Sequence, residues 1–488
     1  MTSCLHLQPL CLLLMLILWP LFISASIVTH LPGFHGPLPF HLETGYVGVD
    51  EVQLFYYFIE SEGNPVEDPL ILWLTGGPGC SAFSGLVFEV GPLKFRSVEY
   101  NGSLPTLVYH PFSWTKGDLF FSFVDNFHDL FYSVKSFMIF IFQVSNVIFL
   151  DSPVGTGFSF SNTPEGYVDG DITSSNRVYK FLRKWLIDHR QFLSNPLYIA
   201  GDSYAGMVVP FITNLISQGI ESGTQPPLNL KGYLIGNPGT GEAIDLNSRI
   251  PYAHNMGIIS DELYESTIIS CEGEDYESPT NTVCAEKLRV VNKFINEIHK
   301  PHILEPKCPR TSPNPRNMAG ERRFLKDEHE ELIAPPPVPP LKCRSYAYYL
   351  SYIWANTGAV RDALHIQKGT VPEWIRCNDY LQYAHDLPSS IKYQQKLTSQ
   401  GYRALVYSGD HDMLVPHIGT QTWIRSLNYS IVDDWRSWFS SGQVAGYTRT
   451  YVHNLTFATI KGAGHTAPEY KPRESLDMIK RWLSYQPL

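Results

Sequence analysis

The segment Leu197-Tyr-Ile-Ala-Gly-Asp-Ser-Tyr-Ala-Gly-Met-Val-Val-Pro210 decides how this chain is expected to fold. Its first four residues are apolar, as in a buried strand, and a stretch of helical character follows the turn. Small residues flank Ser203 in that turn, with Gly201 before it and Ala205 after it. An ordinary glycine-rich turn also fits this pattern taken alone. Because a sharp strand–turn–helix connection holds a serine hydroxyl at the edge of a sheet, the segment predicts a nucleophile elbow.

Short apolar runs elsewhere in the chain predict further buried strands, each followed closely by Gly, Asp, Ser or Pro. Helical patterns lie between them, for example over residues 176–189. The alternation predicts an α/β fold with a mostly parallel sheet covered by helices. The predicted strands are residues 70–74, 147–150, 197–200, 230–235 and 404–407.

A serine nucleophile needs a base and a carboxylate that orients the base, and behind an elbow they follow in the order Asp, then His. One predicted strand is followed by SGDHD (408–412), and a later apolar stretch is followed by KGAGH (461–465). We therefore predict Ser203 as the nucleophile, Asp410 as the acid and His465 as the base. Asp412 is the alternative acid.

The choice of His465 rests on its place in a glycine-flanked loop after the last predicted strand. Most histidines in a protein are structural, so position in the fold has to decide among the 17 that the chain contains. On this ground His465 is preferred to three other histidines near the C-terminus, namely His411, His417 and His453.

The first predicted parallel strand ends in TGGPGCS (75–81), which provides a candidate oxyanion hole. Glycines there let the backbone N–H of Gly77 point towards the serine, beside the N–H of Tyr204. A GGPG turn is ordinary loop chemistry by itself. Its place after a strand and upstream of the elbow makes it the best candidate for oxyanion binding.

Composition excludes several classes of protein. A chain of 488 residues with 44% apolar residues can bury a sizeable core and is not a mostly disordered protein. The net charge of −10, without a stripe of Lys and Arg, argues against nucleic acid as a partner. No C-x-x-C pair or histidine cluster with zinc spacing occurs, so the sequence predicts neither a metal site nor another cofactor.

The N-terminus predicts a secretory signal peptide over residues 1–26. An apolar run at 10–23 is followed by the small residues Ser24-Ala25-Ser26, as cleavage requires. The run is shorter than the about 20 residues of a membrane span, so we expect no stable membrane anchor. Entry into the secretory pathway would deliver the protein to the vacuole or the cell exterior.

Cysteines and sequons agree with a secreted protein. Six cysteines remain after the signal, an even number that predicts three disulfides, although six cysteines allow about 15 pairings. Three N-x-S/T triplets are candidate glycosylation sites. The cysteines are Cys80, Cys271, Cys284, Cys308, Cys343 and Cys377, and the sequons begin at Asn101, Asn428 and Asn454.

Length alone suggests three domains at about 150 residues each, but the middle of the chain contradicts that estimate. Residues 240–350 hold four of the six remaining cysteines, a charged run at 321–331 and the stretch APPPVPP at 334–340. Proline at that density fits neither a helix nor a central strand, so it predicts an exposed linker. We therefore predict one hydrolase domain over 27–488, with a disulfide-tied insertion at about 240–350.

Residues 117–143 are anomalous, because eight of these 27 residues are Phe. A surface insertion would expose a large apolar patch. A membrane span is opposed by Lys135, Gln143 and Asn146, and it would consume the strand predicted at 147–150. A retained intron is the third interpretation, since Phe codons are U-rich, 27 codons preserve the frame, and Gln143 can be encoded by CAG, which ends like a splice acceptor.

With these motifs in view, the chain closely resembles the serine carboxypeptidase family, in particular its plant serine carboxypeptidase-like members. The resemblance runs from Leu31 to the C-terminus and implies an α/β-hydrolase fold with an inserted cap, the triad Ser203, Asp410 and His465, and oxyanion donors Gly77 and Tyr204. It also implies the disulfides Cys80–Cys377, Cys271–Cys284 and Cys308–Cys343. The motifs that carry it are LPGFHGPLPFHLETGYVGV (31–49), LWLTGGPGCS (72–81), FLDSPVGTGFSF (149–160), GDSYAG (201–206), SGDHDMLVP (408–416) and GAGHTAPEY (462–470).

Two departures from the peptidases of that family bear on activity. Peptidase members carry Asn before the paired glycines and Glu before the nucleophile, where this chain has Thr75 and Asp202. Glu89 matches the family acid that shares a proton with the carboxylate of the residue before the nucleophile. The resemblance therefore implies that Thr75, Gly76, Glu89 and Asp202 bind the substrate.

Plant relatives with the patterns TGGPGC and GDSY, which this chain has at 75–80 and 201–204, include acyltransferases that use glucose esters. We favour an acyltransferase that forms an acyl-enzyme on Ser203 and passes the acyl group to a hydroxyl or amine acceptor. Its partners would be a small-molecule acyl donor and acceptor. The alternatives are a carboxypeptidase that releases C-terminal amino acids from peptides and a catalytically silent relative.

Overall fold

The computed structural model describes residues 25–117, 144–309 and 338–488, and the backbone of 119–124 and 136–141. The predicted signal peptide lies outside the described residues except for Ala25 and Ser26, and Ser26 already belongs to the first strand. The charged run at 321–331 and residues 334–337 of the proline-rich stretch also lie outside them.

Eighteen strands lie within the described ranges. In chain order they are β1 (Ser26–Ile27), β2 (Leu42–Val49), β3 (Val52–Ile59), β4 (Leu70–Leu74), β5 (Leu93–Phe95), β6 (Leu107–Tyr109), β7 (Leu119–Val124), β8 (Ser136–Ile141), β9 (Asn146–Leu150), β10 (Phe160–Ser161), β11 (Asp169–Gly170), β12 (Leu197–Asp202), β13 (Leu230–Gly236), β14 (Tyr383–Ala384), β15 (Arg403–Gly409), β16 (Ile431–Ser440), β17 (Gln443–Tyr451) and β18 (Leu455–Ile460).

The helices of the same ranges cover the sheet or build the middle section. They are α1 (Asp171–Asp188), α2 (Ala205–Glu221), α3 (Ile244–Asn247), α4 (Arg249–Asn255), α5 (Asp261–Ser270), α6 (Thr282–Glu297), α7 (Ser345–Ala355), α8 (Gly358–Ala363), α9 (Ile391–Ser399), α10 (His417–Ser426), α11 (Ala467–Tyr470) and α12 (Pro472–Leu483). None of the helices in the described part of the chain is both long and apolar enough to cross a bilayer.

The central sheet has twelve strands in the order β1-β2-β3-β9-β4-β12-β13-β15-β18-β17-β16, with β10 beside β3. Neighbours from β9 to β18 run parallel, and the strands on both flanks run antiparallel. All five predicted strands lie in the parallel centre, with bounds that differ by at most two residues from those expected. The predicted α/β-hydrolase fold, with a mostly parallel sheet, is confirmed.

Strand β4 shows why the central strands are continuous apolar runs. Leu70, Leu72 and Leu74 belong to the core on one face of the sheet, whereas Ile71 and Trp73 belong to the core on the other face. A strand that is buried on both faces has no polar side, so the alternation that marks a half-exposed strand disappears.

Each face of the sheet is closed by helices. Helices α1 and α2 contribute Phe181, Trp185 and Ile212 to one core. Helices α7 and α12 contribute Trp354 and Trp482 to the opposite core. The helix predicted at 176–189 is the larger part of α1, which begins five residues earlier at Asp171.

The middle section is built by α3 to α6 and has a small core of its own. Ile250 and Leu288 lie in that core, and the disulfide Cys271–Cys284 ties α5 to α6. Met413, from the loop after β15, packs into the same cluster. The middle section is therefore in contact with a loop at the carboxyl edge of the sheet; its status as an insertion in a single domain stays a prediction.

Three disulfides join cysteines in the pairing that the resemblance implied, and this prediction is confirmed. Their Cα–Cα distances are 3.8 Å for Cys80–Cys377, 4.8 Å for Cys271–Cys284 and 5.9 Å for Cys308–Cys343. The first joins the loop after β4 to a segment 297 residues later in the chain.

The backbone of the Phe-rich segment contains the antiparallel pair β7 and β8, which is separate from the central sheet. The chain on either side of the segment comes together, because the Ser145 amide donates to the Trp114 carbonyl at 3.0 Å. Strand β9 then begins at Asn146. The described residues on the two sides of the segment are therefore hydrogen-bonded neighbours.

Candidate active site

Ser203 lies in a tight turn between β12 and α2, in a left-handed backbone conformation with φ +57°. This conformation is unfavourable for a residue with a side chain and is retained where neighbouring packing enforces it. A Cβ atom on Gly201 would lie 2.2 Å from the Leu74 carbonyl oxygen, and one on Gly206 would lie 2.5 Å from Cβ of Pro238. Small residues around the serine are therefore a packing requirement of the elbow.

His465 joins Ser203 to a buried carboxylate. Its Nε2 lies 2.7 Å from Ser203 Oγ, and its Nδ1 lies 2.8 Å from Oδ2 of Asp412. Ser203 follows β12, Asp412 follows β15 and His465 follows β18, so three parallel strands bring them to one edge of the sheet. The serine, the imidazole and the carboxylate form one continuous hydrogen-bonded chain.

Asp412 is fully buried and its carboxylate is surrounded by donors. Asn237 Nδ2 donates to Oδ2 at 2.8 Å, and the backbone amides of Leu414 and Val415 donate at 2.7 Å and 3.2 Å. Burial alone would lower the pKa of His465. The charge and hydrogen bond of Asp412 outweigh that effect and raise the pKa of His465 above its ordinary value.

The prediction of Asp410 as the acid is wrong. Its Oδ1 accepts from Nδ1 of His411 at 2.6 Å and from the Gly462 amide at 2.7 Å. The turn after β15 directs the Asp410 side chain to a partly exposed position, and it directs Asp412, the alternative acid, into the interior. Asp410 therefore organises the loop that carries His465 without contacting the imidazole itself.

Asn237 was missed from the sequence. It directly follows β13 and has φ +41°, a conformation that Asn tolerates better than most residues. Its Nδ2 donates to Asp412, and its Oδ1 accepts from the Gly409 amide at 3.1 Å. A polar residue immediately after a predicted central strand was the available signal.

The predicted oxyanion donors, Gly77 and Tyr204, lie in two segments that meet at the elbow, namely the loop after β4 and the residue after Ser203. Within the described ranges neither N–H donates to a protein acceptor. The loop after β4 presses directly on the elbow, since a Cβ on Gly76 would lie 2.7 Å from Cβ of Ser203 and 2.8 Å from the Tyr204 nitrogen. Gly77 has φ +127°, a conformation reserved for glycine.

A cavity of about 340 Å³ opens at Ser203 and His465. The four residues predicted to bind substrate all line it: Thr75, Gly76, Glu89 and Asp202. Three of their buried oxygens have no hydrogen-bond partner among the described residues, namely Thr75 Oγ1, Glu89 Oε2 and Asp202 Oδ2. Because buried polar atoms are normally paired, these oxygens are available to a bound molecule.

Both carboxyls of the cavity have raised pKa values. Burial is the main cause of the raised pKa of Asp202, which reaches about 6 although the Gly76 amide donates to its Oδ1 at 3.3 Å. Burial also raises the pKa of Glu89 well above its ordinary value, with the neighbouring Asp202 and Glu469 charges adding to it. A protonated carboxyl both donates and accepts, so this wall offers both kinds of hydrogen bond.

Residues of α7 and of the segments around it also line the cavity. Arg344 pairs with Glu305 at 2.6 Å and with Glu469 at 3.5 Å. The Tyr348 hydroxyl donates to Glu469 at 2.9 Å, and the Arg376 guanidinium lies 4.1 Å from the centre of the Tyr348 ring. Aromatic rings and fixed charges therefore line the cavity together with the carboxyls of Glu89 and Asp202.

Two further predictions concern the surface and metals. Asn101, Asn428 and Asn454 are all exposed, and their glycosylation stays a prediction. In the part of the chain that the structure describes, no group of three or more His, Cys, Asp or Glu side chains is arranged to hold a metal ion.

The serine carboxypeptidase family model matches residues 32–134 and 142–485. The interval between the two matched parts falls inside the Phe-rich segment. Two similar proteins of Arabidopsis thaliana are serine carboxypeptidase-like 7 and serine carboxypeptidase-like 2, which are 48% and 49% identical to the chain over 470 residues. Each alignment covers 95% of this chain and 94% of the relative.

Among solved structures, the chain is similar to the prohormone-processing carboxypeptidase Kex1 of Saccharomyces cerevisiae. The sequences are 21% identical, the TM-score is 0.65, and the match covers 91% of both chains. This likeness supports the fold, and the family match together with the Arabidopsis relatives extends over almost the whole sequence. The chain therefore belongs to the serine carboxypeptidase family.

Proposed function

We propose that the protein is an acyltransferase that moves an acyl group from a glucose ester to a hydroxyl or amine acceptor through an acyl-enzyme on Ser203. In this proposal Ser203, His465 and Asp412 form the catalytic triad. Gly77 and Tyr204 supply the oxyanion donors, and Thr75, Gly76, Glu89 and Asp202 contact the substrate. No cofactor takes part.

The reaction has two balanced half-reactions. Ser203 Oγ attacks the ester carbonyl carbon while His465 Nε2 takes the hydroxyl proton, and the N–H groups of Gly77 and Tyr204 bind the oxyanion. Collapse breaks the bond to the sugar oxygen, which receives the proton from His465. An acceptor hydroxyl then gives its proton to His465 while its oxygen bonds to the acyl carbon, and Ser203 Oγ leaves with the proton that His465 returns to it.

The observation that carries the proposal is the position of the Asp202 carboxyl. Its Oδ1 accepts from the Gly76 amide, so the short side chain is held back against the loop after β4. The residue before Gly76 is Thr75, whose hydroxyl supplies one donor where an Asn amide supplies two. A site that binds the terminal carboxylate of a peptide through Asn and Glu loses that pairing here, and sites built on buried hydrogen bonds discriminate strongly when one partner is lost.

The composition of the cavity suits a sugar ester. Thr75, Glu89 and Asp202 offer unpaired buried oxygens to hydroxyl groups. Tyr348 and Tyr470 also line the cavity and offer apolar ring surface. A volume of about 340 Å³ lies in the range of small-molecule sites.

The decisive experiment is a comparison of two substrates with the purified protein. We expect a phenolic glucose ester with alcohol or amine acceptors to give the transferred ester or amide as the main product. A blocked dipeptide should release its C-terminal amino acid slowly. Dominant release of the amino acid would overturn the proposal and favour the carboxypeptidase alternative.

Two variants sharpen that comparison. Thr75→Asn and Asp202→Glu together restore the residue types of the peptidases, and we expect the ratio of peptide cleavage to acyl transfer to rise at least about 10-fold. Ser203→Ala should abolish both reactions. If Ser203→Ala still turns over either substrate, the reaction does not pass through an acyl-enzyme on Ser203. If the wild type turns over neither substrate, the protein is a catalytically silent relative.

The proposed site of action follows from the predicted signal peptide and the three disulfides. Disulfides persist in oxidising compartments, and the secretory pathway provides them. We therefore place the protein in the vacuole or outside the cell. A fluorescent fusion compared with one that lacks residues 1–26 tests this placement.

A further inference from the structure

A buried carboxylate beside the elbow has no part in the chemistry described above. Asp171 is the first residue of α1 and is fully buried. Its Oδ1 accepts from the hydroxyls of Tyr204 at 2.8 Å and Tyr383 at 2.9 Å, and its Oδ2 accepts from the Leu387 amide at 3.1 Å. Three donors from two distant parts of the chain thus converge on one side chain.

The protons of this cluster can be assigned from its geometry. The Tyr204 hydroxyl has a single proton, which it gives to Asp171. His385 Nδ1 lies 2.5 Å from the same hydroxyl oxygen, so the imidazole must be the donor in that contact. Burial raises the pKa of Tyr204, and Asp171 raises it further, which keeps the phenol protonated.

The cluster holds the residue that carries one oxyanion donor. Tyr204 follows Ser203, and its backbone N–H is proposed to face the oxyanion. At its backbone end the residue is fixed by the elbow and the start of α2, and at its phenol end it is fixed by Asp171. A displacement of the Tyr204 backbone away from the elbow would carry the ring with it and break the contact with Asp171.

The same carboxylate also reaches the second oxyanion loop. Leu387 and Tyr383 lie in the segment that begins at Cys377, and Cys377 is bonded to Cys80 in the loop that carries Gly77. The Asn378 amide donates to the Gly79 carbonyl at 2.8 Å. Both donor loops are therefore connected through one segment of chain.

We propose that Asp171 is a positioning residue for the oxyanion hole, because it anchors the Tyr204 phenol and thereby fixes the Tyr204 backbone N–H beside Ser203. The inference rests on the proposed acyl-enzyme chemistry and adds to it a residue that touches no substrate. Asp171 acts only through the placement of a neighbouring peptide group.

The test measures oxyanion binding separately from folding and substrate binding. Asp171→Asn offers one good acceptor where three donors converge, and Tyr204→Phe keeps the backbone N–H but loses the anchor. We expect each variant to lower kcat for p-nitrophenyl acetate at least about 10-fold with KM within about 2-fold. Inhibition by phenylboronic acid, whose adduct with Ser203 places a negative oxygen in the hole, should weaken by a similar factor.

Tyr383→Phe is the matched control, because it removes the other phenol from the same carboxylate oxygen. We expect its kcat to stay within about 3-fold of the wild type. The double variant Asp171→Asn with Tyr204→Phe should lose little more kcat than the more damaged single variant, because both changes break the same contact between Tyr204 and Asp171. A lowered Tm with unchanged kcat and unchanged boronic acid inhibition in Asp171→Asn would overturn the proposal, as would an equal loss in Tyr383→Phe.

The probes keep this inference distinguishable from the proposed function. p-Nitrophenyl acetate and phenylboronic acid report on Ser203 and the oxyanion hole whatever the natural donor is. If glucose esters fail while both probes respond as expected, the choice of donor is wrong and the role of Asp171 stands. If Ser203→Ala still turns over p-nitrophenyl acetate, the acyl-enzyme is wrong and the positioning role falls with it.

Discussion

Oδ2 of Asp412 lies 2.8 Å from Nδ1 of His465, and the Asp412 side chain is completely withdrawn from solvent. Asp410, two residues earlier in the same turn, binds His411 instead. A buried carboxylate in this position selects one imidazole tautomer and stabilises the imidazolium that forms during acyl transfer. The two aspartates therefore make opposite predictions for mutagenesis.

Asp412→Asn should reduce kcat about 10⁴-fold while the fold is retained. The amide is nearly the same shape as the carboxylate, but it removes the negative charge and favours the wrong tautomer of His465. Steady-state hydrolysis of p-nitrophenyl acetate, with circular dichroism to verify folding, measures the effect.

Asp410→Asn is the paired control. Its loss should remain below about 10-fold, because it disturbs only the loop of Gly462 and not the contact with His465. Equal losses for the two variants would contradict the assignment of Asp412.

The elbow and the central strands were predictable because their physical requirements appear locally in the sequence. Strand β4 is apolar at every position, and Gly201 and Gly206 leave no room for a side chain. The choice between Asp410 and Asp412 was not predictable in this way. Both follow β15 in an irregular turn. Asn237, which follows another strand, contacts the carboxylate of Asp412 and not that of Asp410.

Several charged residues at the cavity could not be predicted from the sequence either. Arg344 precedes α7, and it reaches the site through pairs with Glu305 and Glu469, which lie far from it in the chain. No periodicity or motif relates these three residues. Tertiary structure alone brings them together, with Arg344 and Glu305 in the lining of the cavity.

Asn237→Gly should lower kcat about 10- to 100-fold, since a buried carboxylate loses a charge-assisted hydrogen bond. Glycine tolerates the φ of +41° at this position, so the change removes the side chain without new backbone strain. Kinetic measurement together with Tm tests this expectation. A variant that loses stability but keeps full kcat would show that Asn237 supports only the fold.

Gly76→Ala should abolish most of the activity, with a loss of at least about 100-fold in kcat. The added methyl would lie 2.7 Å from Cβ of Ser203 and 2.8 Å from the Tyr204 nitrogen, so the loop must move away from the elbow. The position of Gly77 depends on that loop. The rate of covalent labelling of Ser203 by a fluorophosphonate reports the loss directly.

Gly358→Ala is the matched control for that substitution. Gly358 begins α8, and a Cβ there meets no atom within 4 Å. Alanine is the better helix former, by up to about 1 kcal/mol, so stability should be unchanged or slightly higher. The rate of labelling should equal that of the wild type.

Asp202→Asn should stabilise the protein more at pH 7 than at pH 4. Burial raises the pKa of Asp202 from 3.8 to about 6 in the folded state. Between pH 3.8 and about pH 6 the Asp202 carboxyl keeps its proton in the folded protein but has released it in the unfolded chain. The free energy of unfolding therefore falls as the pH rises through this range. Asparagine removes this loss, which amounts to up to about 3 kcal/mol at pH 7.

Urea unfolding at the two pH values measures the difference. Gly358→Ala, which changes no titratable group, is the control and should change stability equally at pH 4 and pH 7. If Asp202→Asn gives the same change at both pH values, the carboxyl of Asp202 is not held protonated by burial.

Removal of residues 117–143 should leave a chain of 461 residues that folds at least as well as the full chain. The ends of the segment already lie side by side, because the Ser145 amide donates to the Trp114 carbonyl at 3.0 Å, and the deletion joins Lys116 directly to Val144. It also removes eight Phe residues from the part of the sequence that directly precedes β9, a central strand. Expression of both forms in one host should give a higher soluble yield and an equal or higher Tm for the shorter form.

If the segment is a retained intron, sequencing of transcripts across this junction should find most of them without it. Its presence in nearly all transcripts, together with a shorter form that fails to fold, would show that the segment belongs to the protein.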